Sequence, residues 1–271
     1  MNPSESPLGK KTSYISTYDP SLLFPMPRKA NRDLLEVPNP LPFEGVDIWN
    51  CYELSWINSK GKPQIAIAEL QVPCTSDNIV ESKSLKLYLG SFQFTPFSSD
   101  MEVKEKLEKD LSEAFKGNIL VLLHSVNAFV NTPISTFSGS CIDDLDVEIT
   151  TYKPDASLLE TEETLVKESL YTHLLKSNCL CTGQPDWGSL WISYEGRKIN
   201  QASLLKYVIS FRNQNDFAEP CIERIYMDIQ NQCSPTHLTV YGRYTRRGGI
   251  DINPFRTNAK VPHWNPRMER Q

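Results

Sequence analysis

Two β-rich runs flank Ser59-Lys60-Gly61-Lys62 in the stretch DIWNCYELSWINSKGKPQIAIAELQVP, residues 47–73. A Gly with a Pro soon after it fits a turn between them, so the stretch predicts a pair of strands. The period then changes. In SKSLKLYLGSF, Leu85, Tyr88, Leu89 and Phe92 recur at i, i+3, i+4 and i+7, the spacing of one helix face, with Ser82 as its N-cap. MEVKEKLEKDLSEAFK, residues 101–116, predicts a second amphipathic helix closed by Gly117 at C′. GNILVLLHSV and DLDVEITTY read as strands. The first half is therefore strand, strand, helix, helix, strand, strand.

The second half repeats that order. A leading helix over about 160–177 (ETEETLVKESLYTHLLKS) runs into a Gly/Pro-containing loop, SNCLCTGQPDWGS. SLWISYEG is a strand, ASLLKYVISFRN (202–213) and AEPCIERIYMDIQN (218–231) are helices, and HLTVYGRYT and GGIDINPF close the sheet. Letters recur as well: SLKLYLGSF (84–92) lies over SLLKYVISF (203–211), matching Ser84/Ser203, Leu85/Leu204, Tyr88/Tyr207, Ser91/Ser210 and Phe92/Phe211. Element order and letters together point to a duplication. The fold class is α+β, in two tandem modules, each an antiparallel β-sheet with two helices on one face. The modules span 46–155 and 156–271, after a Pro-, Ser-, Tyr- and Asn-rich arm over 1–45 that reads as irregular.

Composition narrows the class. At 271 residues, 39% hydrophobic and 23% charged, the chain can bury a sizeable core and is not a disordered tail. A net charge of −5 argues against a protein whose main task is gripping phosphate backbones, leaving room for a local basic patch. No apolar run reaches a membrane span, and MNPSESPLGKKTSYIS has no signal-peptide h-region. The expectation is a soluble cytoplasmic protein. The seven cysteines (51, 74, 141, 179, 181, 221, 233) and four histidines lack disulfide-scaffold or zinc-ligand spacing, so no metal is expected.

Four clusters carry candidate chemistry. Cys179 lies on a loop seven residues before Asp186; a thiolate can attack an electrophilic carbon while an acid supplies the proton. The same letters fit a buried thiol and an Asp capping its own turn. Glu81-Ser82-Lys83-Ser84 opens the first helix, where N–H groups, the dipole and Lys83 suit an anion, or where Ser82 simply caps. Arg246-Arg247-Gly248-Gly249 ends a strand, as phosphate-binding turns and solvated Arg pairs both do. Glu219, near the start of a helix, compensates the dipole or accepts the N–H edge of a purine-like base. The halves are complementary. Only the second has the cysteine loop, and it carries Asn200, Gln201 and Ala202 where the first has Glu-Ser-Lys, so a working site needs both.

Taken together, YDPSLL, NRD, DIWNCYELSW, IVESKSLKLYLGSF, CIDD, HLLKSNCLCTGQPDWGSL, FRNQNDFAEPCIERI and YTRRGGIDINPFR resemble the QueF family. These are the NADPH-dependent 7-cyano-7-deazaguanine reductases of queuosine biosynthesis, here in the long two-module form. ESKSLK is the family signature, and the likeness covers nearly the whole chain. The resemblance implies a tunnelling (T-) fold, a homodimer, a free-base substrate rather than nucleic acid, and reduction of a nitrile to a primary amine by two NADPH. By the same resemblance Cys179 is the nucleophile that forms a thioimide, and Asp186 the general acid. Val80, Glu81 and Ser82, with Ala218 and Glu219, are the base-binding set. Ser82, Lys83, Arg247 and Gly248 are the NADPH positions. One residue departs from the pattern: Ala218 stands where the family has a His before the Glu. That departure keeps open a protein that binds the cyano base with impaired turnover. A GTP cyclohydrolase-like T-fold enzyme is the other alternative, and it would need a Cys/His zinc set.

Overall fold

Each half of the chain is built on one long β-hairpin. The computed structural model describes residues 15–271, and these divide into two units. Unit 1 holds the described residues up to Ala30, then Val46–Pro133 and Arg246–Ile252; unit 2 holds Asn31–Gly45, Ile134–Thr245 and Asn253–Gln271.

In unit 1, β1 (Pro25–Pro27) leads into α1 (Arg28–Leu34), whose residues from Asn31 on count with unit 2. The hairpin strands are β2 (Glu44–Ile57), whose first two residues also count with unit 2, and β3 (Pro63–Pro73), in register from Val46↔Pro73 to Ile57↔Pro63 with a bulge between Cys51 and Leu54. Their turn closes on Asn58, which donates from N–H to the Lys62 carbonyl at 2.9 Å, with Gly61 in the left-handed region at φ 74°. Next come β4 (Asn78–Val80), α2 (Ser82–Gly90), α3 (Asp100–Phe115) and β5 (Leu120–His124). β4 pairs with β1, and β5 pairs with β3. Alternate residues of the hairpin (Trp49, Cys51, Leu54 and Trp56; Ala66, Ala68, Leu70 and Val72) form one core with Leu85, Tyr88, Phe92, Val103, Leu107, Leu111 and Phe115. Both helices therefore cover one face of the sheet. Val103, Leu107 and Leu111 are fully buried, each worth about 1.5–3 kcal/mol.

In unit 2, β6 (Ser140–Cys141), β7 (Thr161–Asn178), β8 (Pro185–Ile199), α4 (Gln201–Ser210), α5 (Ala218–Cys233), β9 (His237–Tyr244) and β10 (Ile250–Thr257) follow in order. The first three residues of β10 count with unit 1. The sheet order is β10-β9-β8-β7-β6, antiparallel except for β6 with β7. α5 packs on β8 and β9, and α4 on β7.

Several local expectations are corrected. Residues 160–177 are not a helix but most of β7, an 18-residue strand. Its buried positions, Leu170 and Thr172, then Leu175 and Ser177, alternate on either side of a bulge between Thr172 and Leu175. That phase shift mimics helical spacing, while Thr161, Thr164, Val166, Tyr171 and Thr172 favour a strand. DLDVEITTY forms no strand, because β6 takes the β7 edge instead. The arm read as irregular carries β1 and α1; its residues 1–14 lie outside the described residues, with most of the stretch read for a signal peptide. The cap of α2 is Glu81, not Ser82, which is already the first helical residue: the two Glu81 carboxylate oxygens accept from Lys83 N–H at 2.7 Å and Ser84 N–H at 2.9 Å. At the end of α3, Lys116 rather than Gly117 takes the left-handed conformation, at φ 50°. Gly117 is needed for a close approach, since a Cβ there would lie 2.7 Å from that of Ser76.

The duplication extends to single hydrogen bonds. Asp19 caps the turn Pro20–Leu22 through Ser21 N–H as Asp155 caps Ala156–Leu158 through Ser157 N–H. Phe24 N–H donates to Ser84 Oγ, and Glu160 N–H to Ser203 Oγ. Ser91 Oγ bonds to the Tyr88 carbonyl and Ser210 Oγ to that of Tyr207. The two tyrosine hydroxyls donate to Asp110 and Asp228.

Candidate active site

The hairpin of unit 2 ends at the cysteine loop. β7 stops at Asn178 and β8 starts at Pro185, but pairing runs one step further, with Cys179 N–H donating to the Gln184 carbonyl at 2.8 Å. Gly183, at φ 66°, turns the chain and donates to the Cys179 carbonyl. Ser177 is the register partner of Asp186. Paired residues of an antiparallel ladder share a face, as do residues two apart on a strand. Cys179, Ser177 and Asp186 therefore point to one face of the hairpin. Cys179 is 3% exposed, whereas Asp186 and Cys181 are partly exposed. Cys181 is thus a loop thiol and not a buried packing residue.

The helix α5 lies against that same face. Gly188, two residues after Asp186, pairs with Tyr244, and a Cβ on Gly242 would meet Ile222 of α5 at 2.6 Å. Cys221 is fully buried there, and burial, then the carboxylate of Asp216, pushes its thiol up to about 12. α5 opens on Ala218, with Glu219 buried in its first turn. The preceding segment is laced to the cysteine loop: Asn178 N–H donates to the Gln214 carbonyl at 2.7 Å, and Asp216 N–H to the Asn178 carbonyl at 2.9 Å. Burial raises the Asp216 carboxyl to about 6, against the backbone N–H of Phe217 and the charge of Arg224. Cys179, Asp186, Ala218 and Glu219 thus belong to one assembly within unit 2. His173 lies on β7, not on a helix, with Nδ1 2.7 Å from Ser189 Oγ.

The remaining candidates lie in unit 1. Val80 ends β4 and is buried; Glu81 is fully buried, its carboxylate spent on the N–H groups of Lys83 and Ser84. Those N–H groups are then not offered to an anion, and what the helix start presents is the partly exposed Ser82 and Lys83 side chains. Arg247 N–H donates to the Ile250 carbonyl at 2.9 Å, closing a turn in which Gly248 and Gly249 take φ 59° and 75°. These φ values favour glycine, and a Cβ would also displace a neighbour, coming 2.8 Å from Lys86 Nζ at Gly248 and 2.3 Å from Glu53 Cδ at Gly249. Beside this turn is a cleft lined by Cys51, Glu53, Lys86, Leu89 and the two glycines, among others. The Arg246 guanidinium stacks on Tyr52 with 4.7 Å to the ring centre. Arg246 is among the sequence candidates, whereas Lys86 and the stacking of Arg246 on Tyr52 are not. Helical spacing from Lys83 gives Lys86, whereas the pairing with Tyr52 has no local signal.

Among the described residues no group of three His, Cys, Asp or Glu side chains is arranged to hold a metal ion, and no helix is long and apolar enough to cross a membrane.

Comparison with known proteins adds family evidence. A family model described as nitrile reductase, 7-cyano-7-deazaguanine-reductase N-term, matches residues 14–123, and one described as QueF-like protein matches residues 185–263. The chain is 53% identical to the NADPH-dependent 7-cyano-7-deazaguanine reductase of Ralstonia nicotianae, over 100% of this chain and 99% of the relative. Its identity to the protein of the same name in Cupriavidus taiwanensis is 54%, over 99% of each. For that of Desulfotalea psychrophila it is 51%, over 98% of this chain and 97% of the relative. A crystal structure of the archaeosine synthase QueF-Like in the apo form covers 38% of this chain at 16% identity and a TM-score of 0.32.

Proposed function

The chain belongs to the family of NADPH-dependent 7-cyano-7-deazaguanine reductases, and from that membership we propose that it reduces the nitrile of 7-cyano-7-deazaguanine to the amine of 7-aminomethyl-7-deazaguanine. It is an oxidoreductase of queuosine biosynthesis. The observation that carries the residue-level reading is the hairpin end of unit 2, where a buried thiol and a carboxyl share one face under the start of α5.

In this reading the Cys179 thiolate attacks the nitrile carbon. A C–S bond forms, one π pair of the C≡N bond moves to nitrogen, and Asp186 hands on to that nitrogen the proton the thiol has lost. The product, R–C(=NH)–S, is a thioimide whose C=N bond is a better hydride acceptor than the nitrile. When bound, NADPH supplies a hydride twice, which with two protons takes R–C≡N to R–CH2–NH2 and leaves two NADP+. Between the two reductions the C–S bond breaks and its electron pair returns to Cys179. Asp186 holds the proton at nitrogen throughout. Burial of Cys179 keeps water from the thioimide, which would otherwise hydrolyse.

The other assignments follow the same reading. Glu219, buried in the first turn of α5 beside Ala218, is a carboxylate suited to the paired N–H donors of a guanine-like edge. Val80, Glu81 and Ser82 are assigned to the base by the family resemblance alone. Ser82, Lys83, Arg247 and Gly248 would hold the cofactor. The Gly248-Gly249 turn follows Arg246 and Arg247 and has Lys86 beside it, with Glu53 also in the lining, which supports a phosphate there. We read the modules 46–155 and 156–271 as T-folds in a cytoplasmic homodimer. A net charge of −5 supports a free-base substrate over a polynucleotide.

Incubation with 7-cyano-7-deazaguanine in the absence of NADPH tests the nucleophile. The intact mass should rise by that of one nitrile, with none of the gain in Cys179→Ala. An unchanged wild-type mass, or an equal gain in the variant, would remove Cys179 from the mechanism.

A further inference from the structure

We propose that Lys176 is a positioning residue for the Cys179 thiol: its ammonium ties the Asn178 side chain to the Arg212 carbonyl, and so fixes the backbone that presents the nucleophile. The inference rests on the reading of Cys179 given above. Lys176 and Asn178 are two apart on β7 and share the face opposite to that of Cys179. Lys176 Nζ donates to Asn178 Oδ1 and, at 2.7 Å, to the carbonyl of Arg212. The Asn178 N–H and carbonyl are bonded in turn to Gln214 and Asp216. The residue before the thiol is therefore held at its backbone N–H and carbonyl by Gln214 and Asp216, and at its side chain by Lys176, which carries the tie on to Arg212. Without the lysine contact only the two backbone bonds tie Asn178 to that segment, at the last residue of the strand.

The ammonium is not an idle surface charge. Burial, and then the nearby Arg212 guanidinium, lower its pKa, while Asp186 opposes them. The charged groups that act on it are Arg212, from the turn after α4, and Asp186 of β8, whose side chain lies on the other face of the hairpin. The Arg212 guanidinium lies over the Trp187 ring, 5.5 Å from its centre, while the Arg212 carbonyl accepts from Lys176.

The test uses the full chain, with two probes of the same thiol: iodoacetamide, resolved by peptide mapping, and 7-cyano-7-deazaguanine adduct formation. In Lys176→Met the Cys179 turn loosens. Its alkylation should speed up by about three- to tenfold as the buried thiol becomes accessible, while adduct formation slows by about tenfold. Cys51, Cys74 and Cys221 should stay protected, which separates the effect from global unfolding. Lys176→Arg, which keeps a donor for both acceptors, should restore both rates. Asn178→Ala should reproduce Lys176→Met, and the double variant should be no worse than either single one. Alkylation of Cys179 within twofold of wild type in Lys176→Met, or additive losses in the double variant, would overturn the proposal. If wild type forms no nitrile adduct, the reading of Cys179 as nucleophile fails instead, and the alkylation rates still decide whether Lys176 holds the turn.

Discussion

A thiol 3% exposed at the end of a hairpin, on the face of the carboxyl of Asp186, is poor at random chemistry and well placed for directed chemistry. In the proposed mechanism burial keeps out competing water, and the shared face would let Asp186 serve both the attack and the later proton transfers. Ala218, the first residue of α5, is partly buried beside Glu219, and the family resemblance sets a His there. Ala218→His should raise kcat for nitrile-dependent NADPH oxidation by about tenfold or more, within the usual range of one proton-transferring side chain, and leave adduct formation on Cys179 unchanged. Equal turnover in both proteins would mean that this position has no part in proton handling. Arg247 belongs to the glycine turn of unit 1, and its proposed role is local. Arg247→Leu should raise the KM for NADPH by about tenfold, roughly the worth of one charge-assisted contact, with the KM for the nitrile nearly unmoved. Parallel losses in both would reassign it.

At the scale of elements, amphipathic patterns decided what was legible. The β2–β3 hairpin and helices α2 to α5 could be read because their apolar stripes are unbroken and their turns carry Gly or Pro. β7 could not, because a bulge between Thr172 and Leu175 shifts the phase of a two-residue period until it resembles a helix. The candidate site was legible as letters but not as geometry: no local rule shows that Ser177 pairs with Asp186, or that Asn178 is laced to residues 214–216. The α5 segment also carries a pH signature. Burial raises the Asp216 carboxyl from 3.8 to about 6, so between those values the folded protein holds more protons than the unfolded chain. Stability therefore falls as pH rises through that window, and the loss is complete above about 7. Asp216→Asn should accordingly stabilise the protein by about 1–3 kcal/mol at pH 7.5 and by almost nothing near pH 4. Thermal unfolding of the two proteins across pH 4–8 measures this; a Tm difference independent of pH would contradict the burial account.

At the scale of the whole molecule, the repeat and its asymmetry bear most directly on function. Both halves keep the same turn caps, the same serine bonds at the helix starts and the same tyrosine–aspartate pairs. Yet only the second has the Cys179–Asp186 hairpin end, and only the first has a carboxylate at the helix cap, Glu81 against Asn200. Duplication with division of labour fits an enzyme better than a scaffold, since a scaffold gains nothing from losing one set of chemical groups in each copy. The most direct measurement is NADPH oxidation followed to completion with a limiting, known amount of 7-cyano-7-deazaguanine, against a control without the nitrile. The account predicts two NADPH consumed for each nitrile, none in the control, and none with Cys179→Ala. NADPH loss independent of the nitrile, or none at all with an intact Cys179, would contradict it.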